Sequence, residues 1–299
     1  MSFRIFLALC AAIVCMCISS RVQAQPFFSG QASLDDNGVN VGSDSHNGAI
    51  SQTAQSNYNQ TVFADNIDMH GFATAGRGFL QASARSTNSP SGDGGGPPGP
   101  QDETSTGTAE FAVDDLIFSG PTNGTIPVTM LMSLNGTISA NVGGPSGTAA
   151  GSIGIQGNFS GSNFFGFFSG NYNLSNVNGD VSINQSGILA TYALQNPPLV
   201  QVPILNVPTN VPLTLTLILK ASAFALGGGG ESDDGLSDFS HTLNFPTTGP
   251  VFTLPDGFTA NSVEAEIVAN TFVGQIPEPS SLGIFLMLAC LNSLASRRR

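Results

Sequence analysis

The chain has 299 residues, of which 9% are charged, with 8 Lys and Arg against 20 Asp and Glu and a formal charge of −12. Arg4, Arg21, Arg297, Arg298 and Arg299 lie at the two ends, so Arg77, Arg85 and Lys220 are the cations of everything between. Three scattered cations cannot neutralise a run of phosphates, which argues against a nucleic acid or an anionic lipid surface as partner.

Residues 1–24 read as a secretory leader. Arg4 gives a positive start, Ile5 to Ile18 is an uncharged apolar stretch, and Val22-Gln23-Ala24 offers the modest side chains that a signal peptidase reads, with cleavage between Ala24 and Gln25. Fourteen helical residues span about 21 Å, short of the roughly 30 Å hydrocarbon core, so the leader is expected to be removed rather than kept as an anchor. The expected partners here are the secretion machinery and signal peptidase. Cys10, Cys15 and Cys17 follow Leu9, Val14 and Met16, not the small residue that lipid attachment requires. The remaining cysteine is Cys290, so the stretch between the ends can form no disulfide and must fold on its core and hydrogen bonds.

Residues 25–276 are expected to form one exported all-β domain, an antiparallel β-sandwich or jelly-roll-like fold of roughly twelve short strands. Near its start, Asp35-Asp36-Asn37-Gly38 with Asp44 places hard oxygen ligands on turn-prone backbone. Asp233-Asp234, beside Glu231, does the same later in the chain. Asp35, Asp36, Asp44, Asp233 and Asp234 are therefore the candidates for a weak calcium site, the one cofactor the sequence raises. The competing reading is a pair of solvated acidic loops. Residues 88–103 are a Gly/Pro-rich flexible loop. Gly94 to Gly99 formally matches G-x-G-x-x-G, but its Pro97-Pro98 interior and the lack of a strand–helix context speak against a nucleotide site.

Further along, the apolar period is two. Ile126, Val128, Met130, Met132 and Leu134 alternate with polar or opposite-facing residues, and Ile138-Ala140-Val142 and Ile153-Ile155 continue the pattern. Asn135-Gly136 between two such runs predicts a hairpin. Asn178-Gly179-Asp180 predicts another, joining Tyr172–Val177 to Val181–Ile188. The run Phe164-Phe165-Gly166-Phe167-Phe168 reads as a strand buried on both faces. Its alternative is a sugar platform shared with Tyr58, Tyr172 or Tyr192. Val211, Leu213, Leu215, Leu217 and Leu219 predict one more strand, residues 227–235 a flexible acidic loop, and Val263–Val273 the last strand. Six N-x-S/T triplets, at Asn59, Asn123, Asn135, Asn158, Asn173 and Asn184, permit glycosylation without requiring it.

The histidines are His46, His70 and His241, and there is no G-x-S-x-G elbow and no H-E-x-x-H spacing. The expectation is a protein without catalytic residues. A secreted hydrolase would need one of these imidazoles paired with a carboxylate and a serine.

The chain closes on Pro277-Glu278-Pro279-Ser280-Ser281, an apolar stretch from Leu282 to Ala295, and Arg297-Arg298-Arg299. The prolines keep the first part extended, the apolar stretch suits a transmembrane helix over 282–295, and the arginines stay on the cytoplasmic side. The arrangement over 277–299 resembles the PEP-CTERM sorting signal of Gram-negative bacteria. That resemblance implies transient insertion in the inner membrane, processing by an exosortase-type enzyme, and delivery to the cell surface or extracellular matrix, near exopolysaccharide. The function expected is that of an exported surface or matrix component. The alternatives are a lectin-like module that binds carbohydrate or calcium, and a secreted hydrolase.

Overall fold

The structure, a computed structural model, describes residues 25–36, 39–49, 51–62, 65–90, 101–144, 147–193, 199–227 and 232–274. The leader, the apolar tail and its Pro-Glu-Pro motif lie outside the described residues, as do 91–100 and 228–231. The described chain is all-β, with antiparallel pairing throughout and no helix.

Fourteen long strands succeed one another: β1 (Phe27–Asp36), β2 (Val39–Gly48), β3 (Gln52–Val62), β4 (Asp65–Gly76), β5 (Phe79–Pro90), β6 (Gln101–Ser119), β7 (Thr125–Leu134), β8 (Thr137–Val142), β9 (Thr148–Gly161), β10 (Phe164–Val177), β11 (Asp180–Gly187), β12 (Val200–Pro208), β13 (Pro212–Gly227) and β14 (Asp233–Asn244). Four short ones follow: β15 (Phe252–Thr253), β16 (Thr259–Asn261), β17 (Ile267–Val268) and β18 (Thr271–Phe272). The first sheet runs β11-β10-β9-β13-β6-β1-β2, with β16 also on β6. The second runs β12-β7-β14-β5-β4-β3, with β8 on β14 and β15 on β7. The two sheets pack face to face as a sandwich.

The strands are longer than the sequence suggests, because Ser, Thr, Gly and Asn continue the ladders where apolar alternation fades. The Gly/Pro loop expected over 88–103 begins and ends inside β5 and β6, and the loop expected over 227–235 is cut short in the same way by β13 and β14.

Side chains facing between the sheets are graded in size. Along β6 they run Ser105, Gly107, Ala109, Phe111, Val113, Leu116, Phe118, and along β13 the sequence Leu213, Leu215, Leu217, Leu219 gives way to Ala221, Ala223, Ala225. At the thick end Phe118, Phe159 and Phe252 meet with ring centroids 5.0–6.5 Å apart. At the thin end the backbones themselves touch. A Cβ on Gly107 would lie 2.1 Å from the Phe72 carbonyl oxygen, one on Gly151 2.2 Å from Leu236 O, and one on Gly235 2.2 Å from Phe224 O. Hydrogen bonds cross the same gap: Ser86 Oγ donates to Ala223 O (3.2 Å), Ser237 Oγ to Ser152 O (2.7 Å) and Asn176 Nδ2 to Ala140 O (3.1 Å).

Two turn expectations part company. Asn178 (φ 55°) and Gly179 (φ 91°) make the two-residue turn between β10 and β11, as the Asn-Gly pair predicts. Asn135-Gly136 makes no hairpin. Here β7 and β8 follow one another along β14, Leu134 facing Leu243 and Thr137 facing Asp238. Gly136 is needed for a close approach instead, since a Cβ there would meet the Phe239 ring at 2.3 Å. The last strand expected over Val263–Val273 is a turn at 263–266 followed by the small β17–β18 hairpin, with Glu266, Ala269 and Asn270 at positive φ.

Gly107→Ala is expected to cost about 1–3 kcal/mol or more by overpacking, read as a lower urea midpoint. Gly124→Ala, at a position with nothing within 4 Å, should change it by no more than about 0.5 kcal/mol.

Candidate functional site

The first sheet has one face that no described residue covers with a further layer, and antiparallel register organises it into cross-strand rows. One row is Phe27, Ala112, Thr216, Asn158 and Phe167, on β1, β6, β13, β9 and β10. The next rows are Ser29, Glu110, Ile218, Gln156, Ser169; then Gln31, Thr108, Lys220, Gly154, Asn171; then Ser33, Thr106, Ser222, Ser152, Asn173. Such a row of five strands spans about 19 Å at 4.8 Å per strand. Hydroxyls and amides dominate it, with Glu110 and Lys220 as the charges of these four rows. At one side Phe165 and Phe167 stand out from β10, 69% and 61% exposed. They share one face, about 7 Å apart along the strand, beside Ser160 and Asn158.

This corrects the reading of 164–168 as buried on both faces. Only Phe168 is buried, and Phe164 packs partly against the core. Among the described residues no layer covers the outward positions of β10, so alternate aromatics are exposed. Of the tyrosines, Tyr172 and Tyr192 are interior, their rings edge to face at 6.2 Å, with Tyr192 Oη donating to Leu134 O (2.7 Å). Burial, with Tyr172 beside it, pushes the Tyr192 hydroxyl up to about 12. Neither tyrosine can serve as a platform.

Three of the calcium candidates, Asp44, Asp233 and Asp234, accept hydrogen bonds from the protein. Asp35 and Asp36 end β1, whereas Asp44 faces Ala32 on β2 and accepts from Gln55 N (2.9 Å) and His46 Nε2 (3.0 Å). Asp233 is wholly buried, not in a solvated loop, and accepts from Gly143 N (3.2 Å) and Thr148 N (3.1 Å). Its neighbour Asp234 points the opposite way and accepts from Arg85 Nε (3.0 Å) and Thr87 Oγ1 (2.8 Å). Among the described residues no three His, Cys, Asp or Glu side chains are grouped to hold a metal ion. His46 and His70 lie on strand surfaces, each beside the aspartate two residues earlier (3.0 Å to Asp44, 2.9 Å to Asp68). His70 also meets Asn57 Oδ1 at 2.6 Å.

Three buried acids were missed by the sequence reading. Glu103 lies between the sheets, fully buried, its Oε1 accepting from Asn88 Nδ2 (3.0 Å). Burial, with Asp36 nearby, pushes its carboxyl up to about 9. Its place in the alternation Glu103, Ser105, Gly107, Ala109 is the signal that it points inward. Glu264 is buried where the C-terminal segment is strapped to β6. Asp115, at a bulge in β6, accepts from Ser262 Oγ, Val263 N (2.7 Å) and Glu264 N (3.1 Å). Glu264 in return accepts from Asp114 N (3.0 Å). Burial, reinforced by the carboxylates of Asp115 and Asp114, pushes Glu264 up to about 7. Arg77 Nη1 donates to the buried Glu266 (3.2 Å) on the same strap.

No protein-family model, curated protein or solved structure matches this chain.

Glu103 and Glu264 both hold a proton in the folded state that the unfolded chain releases near its ordinary value of 4.5. Their stabilising contribution is complete below about pH 4.5 and drains as pH rises, through about 7 for Glu264 and about 9 for Glu103. Glu103→Gln keeps an acceptor for Asn88 and abolishes the titration. It should match the parent at pH 5 and exceed it at pH 9 in urea midpoint. A parent curve that stays flat between pH 5 and pH 9 contradicts this.

Proposed function

We propose that this chain is an exported cell-surface or extracellular-matrix protein without catalysis, with a leader helix at one end and a membrane-spanning sorting helix at the other. The observation that carries the reading is the order of residues at the C-terminus: Pro277-Glu278-Pro279-Ser280-Ser281, the apolar Leu282–Ala295, and Arg297-Arg298-Arg299. A PEP-CTERM-like tail of this kind would pass through the inner membrane and be processed by an exosortase-type enzyme. The cysteine-free body supports the reading, because nothing in it depends on the redox state of a compartment. Replacing Pro277, Glu278 and Pro279 with alanine in the native host should abolish processing and leave the full-length protein in the inner membrane. Unchanged size and unchanged location in that variant argue against the reading.

A second reading, a surface that binds neutral carbohydrate, is favoured by Phe165 and Phe167 standing on a grid of hydroxyls and amides. Aromatic faces stack on the C–H faces of sugar rings while neighbouring Asn and Ser side chains bond the hydroxyls. The acidic body repels anionic polymers, so an uncharged polysaccharide fits best. Phe165→Ser with Phe167→Ser should weaken retardation in a neutral polysaccharide gel at least about tenfold, given the roughly 1–3 kcal/mol that each lost buried side chain is worth. The melting temperature should hold, because both rings are already exposed.

A further inference from the structure

The first sheet ends at β11, which lacks the features that block the edges at β2–β3 and at β12. On the far side, β2 and β3 close the gap between sheets, with Asp44 of β2 bonded to Gln55 N of β3. The second sheet ends at β12, where Pro203 and Pro208 remove backbone donors and an irregularity between Ile204 and Val207, with Asn206 at φ 58°, breaks the edge. These are the devices by which sheets block pairing with another chain. In contrast, β11 (Asp180-Val-Ser-Ile-Asn-Gln-Ser-Gly187) pairs with β10 in unbroken register and contains no proline, no lysine and no bulge. Among the described residues no strand pairs with its outer edge.

This strand also overhangs the second sheet. Register with Leu174, which packs against the core, puts Ile183 on the inner face, and pairing with Asn176 puts Val181 there too. Yet Ile183 is 58% and Val181 63% exposed. Gln185, next on the same face, is covered by the 188–192 turn, donating from Nε2 to Tyr192 O (2.6 Å). An open backbone edge and a short apolar strip thus occupy the same few residues.

We infer that β11 is the contact surface for a second copy of this chain, joined edge to edge by antiparallel β11–β11 pairing. The strand is self-complementary. A two-fold axis through Ser182 or Ile183 lays the Val181/Ile183 strip of one copy against that of the other. It lays the Ser182/Asn184 row against its equivalent on the opposite face. Charge points to the same occupant: the chain carries −12 overall, whereas β11 has one charge, Asp180, at the strand end where the two copies' acids stay apart. The overhang leaves room for each copy's second sheet. An isologous contact of this type closes, so it gives dimers and not filaments. The inference deepens the matrix reading and rests on it only for where such a dimer would act. Its test reads association alone, whereas the tail variant reads location alone.

The experiment is light scattering of the full-length chain in a mild detergent, beside single-cysteine variants Ser182→Cys and Ile183→Cys in a chain whose own four cysteines are replaced by serine. The expected result is a two-chain mass that falls to one chain in Ile183→Lys, with the far-ultraviolet circular dichroism spectrum unchanged. One of the two cysteine variants should oxidise to a covalent dimer, since paired residues on neighbouring strands sit about 4.5–5.5 Å apart, within disulfide reach. Gln201→Cys on β12 should not. A one-chain mass for the unaltered protein overturns the inference. So does a larger assembly that survives Ile183→Lys and gives no cross-link at either position.

Discussion

The thin end of the sandwich, where Gly107, Gly151 and Gly235 let one sheet's backbone rest against the other's carbonyl oxygens, is the constraint on which the rest of the molecule depends. Sheets normally pack about 10 Å apart with interdigitated side chains between them. Here, at these three glycines, not even a Cβ fits. Polar groups of one sheet reach the other directly, and Ser86, Ser237 and Asn176 donate across the gap to backbone carbonyls. Contact between the layers is therefore made by dispersion and hydrogen bonds as much as by apolar burial. A chain rich in Gly, Ser and Thr, without a disulfide between its ends, can fold this way because small inward residues hold the layers close. The phenylalanines are spent at the other end, where Phe118, Phe159 and Phe252 fill a wider gap.

The shortage of cations shapes what happens to the acids. With Arg77, Arg85 and Lys220 the cations of the described body, most carboxyls cannot find an ion pair. Some are served by backbone N–H groups, as Asp115 and Asp233 are. Others are buried and held in the protonated range, as Glu103 is beside Asn88. Backbone donors and retained protons stand in for lysine and arginine. The four cross-strand rows on the outer face of the first sheet carry two charges, Glu110 and Lys220, so hydroxyls, amides and the two exposed phenylalanines give them their chemical character.

The two sheets are unequal in reach. Along the β10–β11 side the first sheet extends past the second, and that one asymmetry accounts for both surface features that stand out. Among the described residues no layer lies above Phe165 and Phe167, which face away from the core, and Val181 and Ile183 face toward a second sheet that does not extend over them.

Much of the architecture was legible from local pattern. Period-two alternation in 126–134 and 211–219 identified strands and their buried rows, save that Val211 precedes β13 and is exposed, because a pleated strand alternates its side chains whatever it pairs with. Asn178-Gly179 identified its turn for an equally local reason, the positive φ that such a turn demands. The same dipeptide at Asn135-Gly136 misled, because β14 runs past both flanking strands and takes up the pairing that a hairpin would have used. The candidate site was legible only in part. The aromatic run 164–168 was visible, but which rings are buried depends on how far the second sheet reaches. Of the acids read as solvated loop, Asp233 proved interior because a partner sheet covers it. By itself the sequence determined that this chain makes antiparallel strands, and it supplied the ordered signals at both ends on which the reading of export stands. The tertiary structure alone decided which strand ends open, which acids keep a proton and which phenylalanines meet water, since each depends on a surface contributed by residues distant in the chain.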